Sequence, residues 1–243
     1  MKVKILSALL LASVFCVQPA LATEVSVSKL RINLEGGRTS DFLTVNNQSE
    51  NEKQAYEISL LKWTQQPNPE YQKDKTAPAL IEVLAPTENI LASPKTIVIM
   101  PKQNKIIRLM INDNNKANKD YSYRLIVNQL PNKEVEAKTN TISLLFKVSL
   151  PVFVYDKLIE NITSMKITKS VVTENGKQYV IVTNNDMQHI QIQSLDLGEK
   201  KFSLNKYVLP GSTERLELPA DYKLDGKTPL TLLTDKGALT LNN

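Results

Sequence analysis

Apolar side chains recur at every second position through much of this chain of 243 residues. Ile142, Leu144, Phe146 and Val148 form the clearest such series. Successive side chains of a strand point to opposite faces of a sheet, so this alternation predicts strands with one buried face. Clusters of turn-forming residues separate the alternating segments at 35–37, 46–48, 112–115, 174–176, 184–186 and 210–211. Many short strands joined by such turns predict an all-β protein built as a sandwich or a barrel.

The first 22 residues have the three parts of a secretory signal peptide. Lys2 and Lys4 precede an apolar run over residues 5–17, and Ala20-Leu21-Ala22 forms a cleavage site. The apolar run is shorter than the roughly 20 residues of a membrane-spanning helix. We therefore expect cleavage near Thr23 and a soluble, secreted product that does not span the membrane.

Cys16 is the only cysteine of the chain and lies inside the predicted signal peptide. A lipid anchor on Cys16 is the alternative, although Phe15 is bulkier than the residue that lipoprotein processing requires before the cysteine. Without the signal peptide no disulfide can form, and hydrophobic burial must supply the stability. Removing Lys2 and Lys4 reduces the 30 basic residues to 28, against 25 acidic ones. These charges form no long single-sign run, so we expect no nucleic-acid partner.

Candidate catalytic residues are few. His189 is the only histidine, follows an Asn-Asn-Asp turn, and has no cysteine to pair with, so we expect it to be exposed to solvent. A metal site or a catalytic Ser/Cys–His pair therefore has little support. The sequence also contains no glycine-rich phosphate loop. Its 25 acidic residues leave a paired-carboxylate site open, but no spacing singles out one pair. We predict no enzyme, no metal and no cofactor.

The strand pattern divides the chain into two parts. The alternation lapses between Tyr155 and Asn161, and new strand-like segments begin near Met165. We predict a signal peptide over 1–22, a first domain over 23–155, a linker over 156–161 and a second domain over 162–243. Each domain then has about the length of one immunoglobulin-like sandwich.

Several stretches carry a family resemblance. The strand Thr141–Leu150 resembles the last first-domain strand of the periplasmic chaperones of the chaperone-usher pathway. Residues 25–36 resemble the first strand of those chaperones, with a basic residue shortly before an acidic-Gly turn. Similar features are the Ser93-Pro94 turn with its following apolar strand to 109, the strand over 120–131 that closes on Leu-Pro, and the segment 207–212.

The segment 25–36 also shows a change in the phase of its apolar alternation. Its apolar positions move from Val25 and Val27 to Leu30, Ile32 and Leu34. Because side chains alternate between the two faces, such a shift predicts a strand that passes from one sheet to the other midway.

The resemblance implies a fold and a function. It implies two immunoglobulin-like β-sandwich domains in tandem, arranged as a boomerang with a cleft between them. It implies a chaperone that caps pilus or fimbrial subunits by donor-strand complementation and delivers them to an outer-membrane usher. The donor side chains, which we expect to be exposed in the free protein, would be Ile142, Leu144, Phe146, Val148 and Leu150. A long exposed strand also favours self-association of free chains.

The resemblance further implies that two basic residues hold the carboxylate at the C-terminus of the subunit. Arg31 matches the first of them, whereas Pro151 stands where the second, a lysine, is expected. Tyr155 stands where the family often has a basic residue thought to join the domains. These departures indicate a divergent branch. Candidates for the missing cation are Arg108, Arg124 and Lys147.

A secreted carbohydrate-binding module or adhesin is the alternative reading. Trp63 and Tyr71 flank the loop 65–69 and could offer a stacking platform for sugars, although Trp63 ends an apolar strand and fits a core position better. A hydrolase is the third class, and the isolated His189 is its main difficulty.

Overall fold

The computed structural model describes residues 25–67, 80–112, 121–131, 145–198, 200–219 and 230–241. The strands of the first half are β1 (Val25–Val27), β2 (Ile32–Leu34), β3 (Ser40–Asn47), β4 (Gln54–Pro67), β5 (Leu80–Pro86), β6 (Ile90–Ser93), β7 (Thr96–Ile99), β8 (Asn104–Ile111), β9 (Tyr121–Gln129) and β10 (Lys147–Val154). A short 3-10 helix, Ile162–Ser164, follows. The strands of the second half are β11 (Ile167–Glu174), β12 (Lys177–Asn184), β13 (Ile190–Leu197), β14 (Lys200–Val208), β15 (Thr213–Glu217), β16 (Leu230–Thr234) and β17 (Gly237–Leu241). Within the described ranges, no helix is long and apolar enough to cross a membrane.

The first ten strands form the N-terminal sandwich. One sheet has the order β1-β3-β8-β6, and the other has the order β2-β10-β9-β4-β5, with β7 also paired to β4. Inward-facing side chains of both sheets, among them Leu43, Ile107, Leu125 and Val152, form a single buried core. Burial of these alternating apolar positions is the main stabilising contribution to the sandwich.

The last seven strands form the C-terminal sandwich, with sheets of order β11-β12-β15 and β14-β13-β16-β17. It has a separate core that includes Val180, Ile192, Leu195 and Leu232. The predicted all-β fold with tandem immunoglobulin-like sandwiches is thus confirmed. Residues 156–161 lie between the two sets of strands, and the domain limits drawn there remain a prediction.

The predicted change of sheet in the first strand is also present. Val25–Val27 pair antiparallel with β3 in one sheet, and Ile32–Leu34 pair parallel with β10 in the other. Val25, Ile32 and Leu34 are buried, whereas Leu30 lies exposed at the crossing. The shift in apolar phase therefore marks the point where the chain leaves one sheet for the other.

Strand β10 has different neighbours along its two halves. β9 pairs with its whole length, Lys147–Val154, whereas β2 pairs only with Val152–Val154. Among the residues that the structure describes, the half from Lys147 to Pro151 therefore has a paired strand on one side only. This half is an open sheet edge.

Alternation of the backbone shows which groups lie on the open side. The Gln129 N–H donates to the Phe146 carbonyl at 2.8 Å, so the backbone of Phe146 faces β9. Backbone groups of successive residues point to opposite sides of a strand. Those of Lys147 and Ser149 therefore point to the open side. Pro151 falls on the same side, where its lack of an N–H leaves no donor unpaired.

Candidate functional site

The predicted donor face lies only partly within the described residues, since Ile142 and Leu144 are outside them. Phe146 and Val148 are half-buried and pack against the core of the N-terminal sandwich. Leu150 belongs to that core and is 3% exposed. The expectation that the whole face is exposed in the free protein is therefore wrong at Leu150. The reason is that the Leu150 side chain points into the core between the two sheets, although, within the described ranges, its strand has a paired neighbour on one side only at this point.

The three candidates for the missing cation lie in different places. Arg108 is on β8, in the other sheet of the N-terminal sandwich. Lys147 is at the start of β10, whereas Arg124 on β9 is the direct register partner of Pro151. Directly opposed residues of neighbouring strands lie on the same face of a sheet. Only Arg124 is therefore placed beside the position where the lysine is expected.

Arg31 lies on the other side of that position. Ile32 pairs with Val152, so Arg31 and Pro151 are the residues that immediately precede a paired position on neighbouring strands. Arg31, Pro151 and Arg124 thus follow one another across β2, β10 and β9. Arg31 and Arg124 therefore flank Pro151, whereas the resemblance implied a lysine at the position of the proline itself.

Both arginines reach the contact between the sandwiches, which we call the interdomain joint. Its apolar centre is formed by Trp63, Phe153, Tyr155, Leu209 and the partly buried Leu158 and Tyr207. The Gln65 amide fixes the two sandwiches together, since its Nε2 donates to the Tyr207 carbonyl at 2.7 Å and its Oε1 accepts the Leu209 N–H at 2.8 Å. The joint therefore combines apolar burial with hydrogen bonds of defined direction.

Arg124 is held by an aromatic ring and a carboxylate. The centre of its guanidinium lies 3.7 Å from the ring centre of Trp63 and 6.0 Å from that of Tyr207. Its Nη2 donates to Glu82 Oε1 at 2.8 Å, and its side chain is 13% exposed. Trp63 itself is buried, which agrees with a core position and leaves no exposed platform for sugars at this residue. Tyr71 lies outside the described residues.

Arg31 crosses the joint and pairs with the C-terminal sandwich. Its Nη1 lies 3.0 Å from Asp235 Oδ2 in the turn between β16 and β17, and 3.5 Å from Gln191 Oε1. Its side chain is 34% exposed. Burial raises the pKa of the Tyr207 hydroxyl, and the positive charges of Arg31 and Arg124 oppose that rise. Tyr207 therefore lies within the electrostatic reach of both arginines.

His189 is buried in the joint, so the expectation of an exposed residue is wrong. Its ring stacks on Phe153 with centres 3.5 Å apart. Its Nδ1 lies 2.9 Å from the Tyr155 hydroxyl, and its Nε2 lies 3.5 Å from Asp235 Oδ2, which is long for a hydrogen bond. The turn that carries His189 is covered by the linker, because Gln188 Oε1 accepts the Ile159 N–H at 2.9 Å.

These contacts form a continuous row of four side chains, Arg31–Asp235–His189–Tyr155. The two outer residues belong to the N-terminal part of the chain, and the two inner residues belong to the C-terminal sandwich. Tyr155 occupies the position where the resemblance implied a basic residue that joins the domains. Here Arg31 makes an ion pair across the joint, and the Tyr155 hydroxyl lies within hydrogen-bonding distance of His189 Nδ1. Asp235 lies in an ordinary turn between β16 and β17, and no sequence pattern pointed to it.

The charges in this row are set by burial and by the neighbouring groups. Burial alone raises the pKa of Asp235, but the His189 ring, the Gln191 N–H and Arg31 outweigh it and lower that pKa to about 2. Burial lowers the pKa of His189 despite the attraction of Asp235, and Arg31 and Lys236 add to the lowering. At neutral pH, Asp235 is therefore ionised and His189 is neutral. Across the described ranges, no group of three or more His, Cys, Asp or Glu side chains is arranged to hold a metal.

The family model for pili and flagellar-assembly chaperones, PapD N-terminal domain, matches residues 24–157, which is more than half of the chain. A search of curated proteins finds no match.

Solved structures resemble the chain over most of its length. One is a complex of the chaperone CsuC with the tip adhesion subunit CsuE, from archaic chaperone-usher Csu pili of Acinetobacter baumannii. It is 18% identical with a TM-score of 0.62, and covers 89% of this chain and 96% of that chain. The Salmonella enterica SafA pilin in complex with the SafB chaperone is 15% identical, with a TM-score of 0.60 and coverages of 90% and 96%. The E. coli chaperone DraB is 15% identical, with a TM-score of 0.56 and the same coverages. At these identities the likeness shows the fold.

Because His189 is buried and neutral, we expect acid to destabilise the protein at pH values above those at which its carboxylates become protonated. Because the folded-state pKa is lowered, the unfolded chain binds the proton more readily, and stability falls as pH drops below about 6.5. Asp235 contributes a separate loss only below about pH 4, towards its folded pKa of about 2.

We expect His189→Gln to remove the decline between pH 7 and 5 and to retain the decline at lower pH. Urea unfolding at several pH values measures both. Equal slopes for the wild type and the variant between pH 7 and 5 would contradict a buried neutral histidine.

Proposed function

The chain belongs to the family of pili and flagellar-assembly chaperones that share the PapD N-terminal domain. We therefore propose that it caps pilus subunits in the periplasm and delivers them to an outer-membrane usher. The observation that carries the proposal is the open edge of β10 from Lys147 to Pro151. An incomplete subunit sandwich would pair with this edge and use β10 as its missing strand.

The side chains of β10 support this use of the edge. Phe146 and Val148 lie on one face and are only half-buried, so they have surface left for a partner. Each apolar side chain that becomes fully buried contributes about 1.5 to 3 kcal/mol before the cost of association is deducted. Ile142 and Leu144 would extend the same face, whereas Leu150 is already used by the core of the N-terminal sandwich. In the absence of a subunit, two free chains could pair through the same edges.

The carboxylate at the C-terminus of the subunit would bind between Arg31 and Arg124. These are the residues that flank Pro151 across β2, β10 and β9. A buried carboxylate is stabilised when charged donors surround it and is strongly disfavoured with incomplete pairing. Arg124 supports the anchor better than Arg108 or Lys147, because only Arg124 lies directly beside Pro151. Two arginines would then replace the usual arginine and lysine.

Phe146→Asp tests the donor face against a neighbour on the other face of the strand. An aspartate forced into an apolar groove costs several kcal/mol, so we expect the yield of a one-to-one complex with a co-expressed pilus subunit to fall to about a tenth or less. Leu145→Asp is the matched control, because Leu145 is exposed on the opposite face and should retain capture. Co-purification from periplasm measures both.

Equal capture by the two variants would refute the donor face. Recovery of the wild-type chain only as a monomer that binds glycans would favour the alternative of a secreted carbohydrate-binding module.

Arg31→Ala and Arg124→Ala test the anchor. If the carboxylate stays buried beside one remaining cation, each change should weaken binding of an intact subunit by about 2 to 5 kcal/mol. Neither change should affect a subunit from which the last residues have been removed. Arg108→Ala is the control, since Arg108 lies in the other sheet and should leave both affinities unchanged. Titration calorimetry compares each of the three variants with the wild type on both forms of the subunit.

An affinity loss that is the same for intact and truncated subunits would mean that the arginines support the fold of the cleft and do not bind the carboxylate.

A further inference from the structure

The Asp235 carboxylate forms an ion pair with Arg31, the cation that would bind the carboxylate of the subunit. Its Oδ2 lies 3.0 Å from Arg31 Nη1, and its Oδ1 accepts the Gln191 N–H at 2.8 Å. The Asp235 side chain is 9% exposed and that of Arg31 is 34% exposed, so water screens this ion pair less than one on the open surface. The charge of Arg31 is thus already partly compensated before any subunit arrives.

We propose that Asp235 is a specificity-determining residue that competes with the subunit's C-terminal carboxylate for Arg31, an inference that rests on the proposed function. A guanidinium carries five N–H donors, and the Arg31 side chain is 34% exposed, so a second carboxylate can reach it. Two carboxylates at one cation repel each other, however. The subunit therefore binds more weakly than it would to an unpaired Arg31.

Asp235 cannot simply move away when a subunit binds. The Gln191 backbone N–H holds one of its oxygens, and the buried His189 ring lies 3.5 Å from the other. The neighbouring Lys236 is directed to the linker, where its Nζ donates to the Ile159 carbonyl at 2.6 Å. Gln191 and His189 are thus positioning residues that keep the competing carboxylate in place.

The second anchor cation has a weaker internal competitor. Arg124 pairs with Glu82, whose side chain is half exposed to solvent. Exposed ion pairs contribute little and are easily broken. The competition at the anchor is therefore set at Arg31, where the competing carboxylate is buried.

Competition between two ligands for one group is reciprocal. If Asp235 weakens binding of the subunit's carboxylate, the bound subunit weakens the Arg31–Asp235 pair by the same factor. That pair joins the two sandwiches, so capture of a subunit loosens one contact of the interdomain joint.

Asp235→Asn tests the competition directly. The subunit that co-purifies with the wild-type chain is titrated onto the wild type and the variant, once intact and once without its last residues. We expect the variant to bind the intact subunit about tenfold more tightly, a typical strength for coupling between sites, and to bind the truncated subunit unchanged. Asp196→Asn is the matched control, because it removes the same charge from the same sandwich outside the joint and should change neither affinity.

An unchanged or weaker affinity of Asp235→Asn for the intact subunit would overturn the proposal, as would an equal gain for the truncated subunit. Absence of any subunit binding by the wild type would instead refute the proposed function on which the proposal rests. Should Asp235→Asn fail to fold, carbon NMR of the wild type at neutral pH replaces it. The carboxyl signal of Asp235 should then move when the intact subunit is added and stay in place with the truncated one, and no movement with either would overturn the proposal.

Discussion

Among the described residues, strand β10 is paired on both sides only where β2 joins it, and this asymmetry determines what each half of the strand can do. Over Val152–Val154 the strand lies between β9 and β2, and its inward side chains complete the core. Over Lys147–Pro151 one row of backbone groups has no strand to pair with among the described residues. Open edges invite association with other chains. A chaperone that lends a strand needs such an edge, and it needs the rest of the strand fixed in a stable sheet.

The position of Arg31 follows from the same arrangement. Arg31 directly precedes β2, whose first residue, Ile32, pairs with Val152 of β10, so this cation marks the end of the open edge. A strand rises about 3.4 Å per residue, which places Phe146 about 17 Å along the edge from Pro151. A subunit anchored near Arg31 and Arg124 would therefore meet Phe146 and Val148 in a fixed register. Anchor and edge together would select which strand of the subunit pairs with β10.

The interdomain joint explains why the cation is available at that point. Stacked aromatic rings and the Gln65 hydrogen bonds hold the sandwiches together without charge. The row from the partly exposed Arg31 to the buried Tyr155 adds an ion pair whose aspartate stays charged at neutral pH. Buried ion pairs contribute less to stability than apolar burial and more to defined geometry. The row thus fixes the position of Arg31 at the joint, while the aromatic centre supplies most of the cohesion.

The sequence predicted the fold well and the site only in part. Period-two alternation was sufficient for the strands, and the phase shift between Val27 and Leu30 located the change of sheet, because both depend on local burial. The alternation could not show that Leu150 lies in its own core, since it gives the face of a side chain and not the end of the edge. His189 and Asp235 were missed because their surroundings arise only when the two sandwiches pack. Pro151 signalled a departure, but only the register showed Arg124 beside it.

Amide hydrogen exchange of β10 tests the central claim most directly, because it reports on the open edge itself. The N–H groups of Lys147 and Ser149 point to the open side and should exchange quickly in the free chain. In a complex with a pilus subunit, both should become strongly protected, while amides that already pair with β9, such as those of Val148 and Leu150, should change little. Protection of Lys147 and Ser149 on binding is the result that the account predicts. Rapid exchange of both amides in a stable complex would show that the subunit is held elsewhere and would contradict it.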